Sequence, residues 1–269
     1  MAAPRTVLLT GAAGGVGTLM RELLPPFGHE LRLLDAVPVP GAPDAITADL
    51  ADRPALREAV RGVDAIVHLA GISLESTFDK IMAANIAGTY NLYEAAREEG
   101  VPRVVFASSN HAVGFTRVPR AGDPPVPVET PHRPDTFYGL SKCFGEDLAQ
   151  LYWDLHGIET VSVRIGTLFA EPASVRELST WLSPADGARL LHAALTAEDV
   201  AHTVVYGSSA NTRAWWDLSP ARALGYDPQD DSEVYAERIL AEKGLPPADS
   251  ADALYLGGLF CVTPPRWPH

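Results

Sequence analysis

Between Arg5 and Ile165, short apolar runs alternate with longer stretches whose apolar positions recur at helical spacing. Runs that are apolar throughout mark strands covered on both faces, and strands separated by helices build a parallel sheet. The runs are Thr6–Thr10, Glu30–Leu34, Ala45–Ala48, Ala65–Leu69, Arg103–Ala107 and Thr160–Ile165. Helices are predicted between them at Val16–Leu24, Pro54–Val60, Phe78–Glu98 and Thr136–His156. Their ends carry chemical signals: Asp52 as an N-cap acceptor, Gly100 and Gly157 as residues able to leave a helix with positive φ. The pattern predicts an α/β fold with a doubly wound parallel sheet.

The stretch Ala112–Asp135 breaks this rhythm. Prolines at 119, 124, 125, 127, 131 and 134 deny it both helix and central strand, so it is predicted as a long loop beside the Thr136–His156 helix. Beyond Ile165 the pattern loosens to a helix at Pro184–Thr196 behind a Ser183 N-cap, a strand near Thr203–Tyr206, and helices at Pro220–Leu224 and Glu233–Glu242. The organisation expected is one domain over residues 1–269. Residues 1–165 form its dinucleotide-binding core, and 166–269 add a small lobe and C-terminal helices where the sheet's carboxyl edge binds ligands.

Composition narrows the function. A formal net charge of −13 and a pI near 5.0 argue against nucleic acid as a partner, since phosphate backbones demand a basic surface. Cys143 and Cys261 supply neither a disulfide framework nor metal-ligand spacing, so no metal is expected and a reducing cytoplasm is. Met1–Pro4 lead directly into the first apolar run, with no stretch of signal-peptide or membrane-spanning length, so no membrane partner is expected.

Thr10-Gly-Ala-Ala-Gly-Gly-Val-Gly17 lies where the first strand meets the first helix. Gly11 allows the tight turn, Gly14, Gly15 and Val16 bring backbone N–H groups toward a pyrophosphate, and Gly17 allows close packing of helix on strand. This places the sheet in the Rossmann type. Asp35 ends the second strand at the spacing from which a carboxylate reaches the adenosine ribose, which favours NAD over NADP; a turn-forming aspartate is the alternative. Asp49 and Leu50 end the third run and would flank the adenine, although Asp49 also suits a helix-cap neighbour.

Tyr138 and Lys142 stand four apart on a predicted helix, hence on one face. A phenol is a poor base near neutrality, and a neighbouring positive charge favours its ionised form. Ser108 and Ser109 end the fifth strand, where a hydroxyl can hold a substrate oxygen near the tyrosine.

Together the glycine loop, Asn85, Ser109, Tyr138 and Lys142 resemble the extended short-chain dehydrogenase/reductase family. Leu69-Ala-Gly-Ile-Ser73, Ala107-Ser-Ser-Asn-His111, Tyr138-Gly-Leu-Ser-Lys-Cys-Phe-Gly-Glu146, Leu178-Ser-Thr-Trp181 and Trp215-Trp-Asp217 resemble, within it, the uronate dehydrogenases. The resemblance implies NAD-dependent oxidation of the C1 hydroxyl of a cyclic hexuronic acid to an aldarolactone. It implies Tyr138 as base, Ser109 on the C1 oxygen, and Lys142 on the cofactor ribose while lowering the tyrosine pKa. Leu69, Ala70, Gly71 and Leu168 would line the cofactor; Ser73, Asn110, His111 and Thr167 would contact the sugar, and Arg176 its carboxylate. His111 also reads as a loop residue satisfied by backbone, and Arg176 as a surface charge beside Glu177. Asn85 is expected to hold a helix bend or a water, and Trp181, Trp215 and Trp216 to pack the lobe. The chain departs from the family in carrying Thr167-Leu168 where Ser-Cys is usual, and in a longer connection from His111 to Tyr138. A nucleotide-sugar epimerase or dehydratase, and a non-catalytic dinucleotide sensor, are the competing readings. A homo-oligomer is expected.

Overall fold

The computed structural model describes residues 5–265; Met1–Pro4, on which part of the leader argument rests, lie outside the described residues. Nine strands and ten α-helices follow one another as β1 (Arg5–Thr10), α1 (Gly15–Leu23), β2 (His29–Asp35), β3 (Ile46–Thr47), α2 (Arg53–Val60), β4 (Ala65–His68), α3 (Phe78–Ile81), α4 (Gly88–Glu99), β5 (Arg103–Ser109), α5 (Phe137–His156), β6 (Glu159–Ile165), β7 (Thr167–Leu168), α6 (Glu177–Thr180), β8 (Trp181–Leu182), α7 (Pro184–Thr196), β9 (His202–Gly207), α8 (Ser219–Ala223), α9 (Ala236–Lys243) and α10 (Ala251–Leu254).

Seven of these strands pair in parallel in the order β3-β2-β1-β4-β5-β6-β9, the doubly wound Rossmann topology expected from the alternation. Its physical origin is visible within β1. Successive side chains of a strand point to opposite faces. Val7 and Leu9 enter a core shared with α1 and α7, while Leu8 enters a second core shared with α2, α4 and α5. The strand order reverses between β1 and β4, and the crevice there is where such sheets bind ligands.

Two elements assigned from sequence to the 166–269 lobe belong with the main sheet, β9 as a strand of it and α7 as a helix packed on it. β9 pairs with β6 from Thr160↔His202 to Ile165↔Gly207, and Leu190, Leu191, Ala194 and Leu195 of α7 join the first core. The sheet therefore runs past residue 165. What remains above its carboxyl edge is the small β7–β8 pair, α6 and the segments after β9.

The caps act as predicted: Asp52 accepts from Ala55 N, Ser183 from Asp186 N, and Gly100 and Gly157 have φ of 71° and 68°. The predicted Phe78–Glu98 helix is interrupted by a π-helical turn at Met82–Ala87. Asn85 sits in that turn and ties it to the neighbouring loop, accepting from Ile72 N at 2.8 Å and donating to Ile72 O at 2.9 Å and Ser141 Oγ at 3.0 Å. Its expected part in a helix bend is what the geometry shows. The proline-rich 112–135 loop is pinned by bridges from Arg117 to Tyr255 and Val126 to Trp216. No helix among the described residues is long and apolar enough to cross a membrane.

Candidate active site

A cavity of about 450 Å³ lies at the carboxyl ends of β1, β2 and β4. Gly11 and Ala13 to Gly17 of the glycine loop line it, together with Asp35, Asp49, Leu50, Leu69, Ala70, Gly71 and Ser73. Two glycines are required by close approach of backbone. Gly11 has φ +73° and a Cβ there would lie 2.7 Å from Ala70 N; a Cβ at Gly17 would lie 2.1 Å from Gly11 O. No side chain caps α1, so the N–H groups of its first turn are open to the cavity with the positive end of the helix dipole. An uncapped helix start behind a glycine turn is suited to a pyrophosphate. Asp35 closes the opposite wall, accepting from Ala13 N at 2.9 Å and Val37 N at 3.2 Å, so its carboxylate braces the loop as well as facing the cavity. Asp49 Oδ1 accepts from Ala51 N, a turn role compatible with its place on the wall. The residues present fit a dinucleotide.

At the end of β5, Ser109 and Asn110 are buried beside Tyr138 and Lys142 of α5, as the motif spacing required. The α5 helix starts behind Thr136, whose hydroxyl accepts from Gly139 N at 3.0 Å. Lys142 Nζ donates to Ala107 O at 2.7 Å and lies 5.4 Å from the Tyr138 ring centre. Burial pulls this ammonium down to about 8, against the opposing charge of Glu146. The phenol moves the other way from expectation: burial pushes it up to about 12, with only the Ser109 hydrogen bond drawing it down. The Lys142 ammonium, close to the phenol ring, is directed at the strand carbonyl.

Glu146, one turn beyond Lys142, is a buried member of the Ser-Lys-Cys-Phe-Gly-Glu motif to which the sequence attached no role. It pairs with Arg164 at 2.8 Å, accepts from Ser108 Oγ at 2.5 Å and contacts His132 Nε2 at 2.8 Å. The Ser108 bond anchors the strand end that carries Ser109. Glu75, also missed, accepts from Tyr138 N at 3.1 Å, and its Oε1 is buried without a partner among the described residues.

Several of the residues expected on the substrate side are gathered by the C-terminal segment. Leu256 O accepts from Asn110 Nδ2 at 3.3 Å and from Arg176 Nε at 3.1 Å, and Phe260 stacks on His111 at 3.9 Å. The Arg176 guanidinium lies 5.9 Å from the Trp215 ring and has no carboxylate at ion-pair distance among the described residues, so it is not the surface partner of Glu177. Burial lowers its pKa, partly offset by Asp252, Glu177 and Asp135. His111 is not satisfied by backbone alone: its Nδ1 meets Asp135 Oδ2 at 2.6 Å. Thr167 Oγ1 shares a hydrogen bond with Thr180 Oγ1 at 2.9 Å. The Leu168 side chain is buried in the core against Gly187, so only its backbone is left for the cofactor-lining part expected of this residue. Trp181 and Trp216 pack as expected, Trp216 stacked on Tyr206. Leu256, Phe260 and Asp135 had no signal in the sequence, since nothing in local spacing joins them to β5.

The model of the NAD dependent epimerase/dehydratase family matches residues 7–219. Uronate dehydrogenase of Pseudomonas putida is 47% identical over 263 residues, 96% of each chain. The crystal structure of a mutant uronate dehydrogenase from Agrobacterium tumefaciens complexed with NAD superposes with a TM-score of 0.92 at 43% identity, covering 99% of this chain and 100% of the other. A glucuronic acid dehydrogenase structure from Chromohalobacter salexigens gives 0.91 at 45% identity, with 97% of each chain covered. The dinucleotide cavity, the Ser-Tyr-Lys set and these full-length likenesses agree: the chain belongs to the NAD dependent epimerase/dehydratase family and, within it, to the group of uronate dehydrogenases.

Proposed function

We propose that this protein oxidises the C1 hydroxyl of a cyclic hexuronic acid, D-galacturonate or D-glucuronate, to the aldarolactone. Gly11, Gly14, Gly15, Val16, Gly17, Asp35 and the Leu69–Gly71 wall hold NAD, with Lys142 on its ribose. When bound, the oxidised cofactor supplies the hydride acceptor and a positive charge beside the site. Tyr138 removes the proton of the C1 hydroxyl while Ser109 donates to the same oxygen. Desolvation raises the phenol, so a base of this kind works only where positive charge stabilises the phenolate. Ser73, Asn110, His111 and Thr167 offer hydrogen bonds to the sugar.

The observation that carries the substrate class is Arg176. A guanidinium that shares the Leu256 carbonyl with Asn110 and has no carboxylate at ion-pair distance among the described residues suits a substrate carboxylate, and its forked geometry allows two parallel hydrogen bonds. A protein of net charge −13 has no long-range attraction for an anion and needs such a local donor.

The test is NADH formation with free uronic acids, neutral hexoses and UDP-sugars, using NAD⁺ and NADP⁺. Turnover confined to the uronates with NAD⁺ supports the reading. Oxidation of glucose or galactose but of neither uronate refutes it. Copurifying NAD with UDP-sugar isomerisation would favour an epimerase, and no hydride transfer at all a dinucleotide sensor. The free thiols of Cys143 and Cys261 suit a reducing cytoplasm, and the exposed Leu140, Leu151 and Leu155 on α5 suit self-association. Both belong to this proposal.

A further inference from the structure

Asp135 has no part in the chemistry assigned so far, yet the chain is built around it. Its side chain has no exposed surface. A Cβ at Gly114, in the turn after β5, would lie 1.9 Å from Asp135 Oδ2, and one at Gly257, in the C-terminal segment, 2.0 Å from the same atom. A Cβ at Gly139, in the first turn of α5, would first meet His111 O at 2.4 Å, with Oδ1 at 3.0 Å, so this glycine brings α5 against the His111 backbone. Two separate parts of the chain, at Gly114 and Gly257, thus give up a side chain to admit one carboxylate.

Burying a carboxylate is costly unless its oxygens are hydrogen-bonded. Thr136 Oγ1 donates to Oδ1 at 2.9 Å, and His111 Nδ1 meets Oδ2 at 2.6 Å. Arg176, Cys261 and Tyr138 face the same carboxylate, but none of them bonds to it; Arg176 donates to Leu256 O instead. His111 is therefore its directional partner from outside its own turn. An ionised carboxylate only accepts, so the His111 proton resides on Nδ1, and in the neutral ring Nε2 is an acceptor. The ring has little freedom to turn away. Phe260 stacks on it at 3.9 Å with 26° between planes, and Tyr138 meets its edge at 5.8 Å. Among the described residues, only Nδ1 of the two ring nitrogens is hydrogen-bonded.

We propose that Asp135 is a positioning residue that acts through His111: it holds the imidazole in the Nδ1–H form and so leaves Nε2 as a fixed acceptor for a substrate hydroxyl. This rests on the proposed binding of a uronate beside Tyr138, and it adds a determinant of sugar recognition rather than of proton removal. The buried carboxylate, the space left for it at Gly114 and Gly257, and the Phe260 stack act together as a mould for one imidazole orientation.

A double-mutant cycle on the holoenzyme tests it, with Asp135→Asn, His111→Ala and the double variant assayed on D-galacturonate and D-glucuronate at saturating NAD⁺. Asp135→Asn is expected to raise the uronate KM about tenfold or more, as loss of an orienting partner does at comparable sites, with kcat changing less and KM for NAD⁺ unchanged. In the His111→Ala background the same substitution is expected to change KM less than twofold, because residues acting as a unit are not additive. Equal effects in both backgrounds would overturn the proposal, as would a kcat loss with KM intact. Nitrogen-15 spectra of the wild-type imidazole supply a readout independent of whether Asp135→Asn folds: an Nδ1-protonated ring supports the proposal, and an Nε2–H tautomer refutes it. A wild-type enzyme inactive on both uronates would instead refute the substrate reading, with the tautomer measurement still standing on its own.

Discussion

Replacing Gly17 by alanine isolates the geometry of the cofactor loop. The added Cβ would lie 2.1 Å from Gly11 O, 2.8 Å from Ala12 Cα and 2.9 Å from Gly11 C. All three are backbone atoms, so no side-chain rotation relieves the overlap. Restoring ordinary contact requires α1 and the loop to part by about 1 Å, and overpacking of this kind costs about 1–3 kcal/mol. Alanine recovers about 0.5–1 kcal/mol of helix propensity, so the net loss is up to about 2.5 kcal/mol. For a chain of this size that is a fall in Tm of up to about 10 °C. The same displacement moves the N–H groups of the first turn off the pyrophosphate, and a misplacement of about 1 Å can cost about a hundredfold in function. Calorimetric melting, with NAD affinity by titration calorimetry, measures both. Gly15→Ala is the control for folding: nothing lies within 4 Å of its Cβ, so its apo Tm should equal or exceed wild type. A Gly17→Ala protein that melts at or above wild type and binds NAD equally well would refute the packing argument. A lower Tm with unchanged affinity would leave the packing intact and remove α1 as the pyrophosphate cradle.

Arg176→Ala should raise the uronate KM by about 10–100-fold, the worth of a charge-assisted pair, whereas Tyr138→Phe should chiefly abolish kcat; initial rates giving the same pattern for both would undo these roles. Asp35→Ala removes the acceptor for Ala13 N and the carboxylate facing the ribose, so affinity for NAD should fall and preference over NADP shrink by about tenfold or more, read as the ratio of kcat/KM values. His132 is held up at about 10 by the Cys143 thiol and the Glu146 carboxylate, above its ordinary 6.5. A raised folded pKa contributes stability in full below pH 6.5 and loses it as pH rises through about 10. The urea-midpoint gap between wild type and His132→Ala should therefore be widest near pH 6 and close by pH 10; a gap that widened with pH would contradict the assigned pairing.

Much of this protein is legible along the chain because its determinants are local. Apolar runs such as Val104–Ala107 carry apolar side chains on both faces, which marks strands covered on both sides, and the interleaved helices then dictate a parallel sheet. Asp52, Ser183 and Gly157 cap helix ends through groups within five residues, and Gly11 to Gly17 form their turn through one another. Tyr138 and Lys142 share a face by helical pitch alone. Tertiary structure decided what depends on distant parts of the chain. β9 completes the main sheet instead of a separate lobe because its register with β6 is a contact across some forty residues. The phenol sits high because burial outweighs the Ser109 hydrogen bond, a balance that spacing does not reveal. Asn110, His111 and Arg176 acquire their setting from Leu256, Phe260 and Asp135, with Asn110 and Leu256 separated by 146 residues. Short-range chemistry thus specified the fold and the reacting pair, whereas the surroundings that select a substrate arose only when packing brought the C-terminal segment against the end of β5.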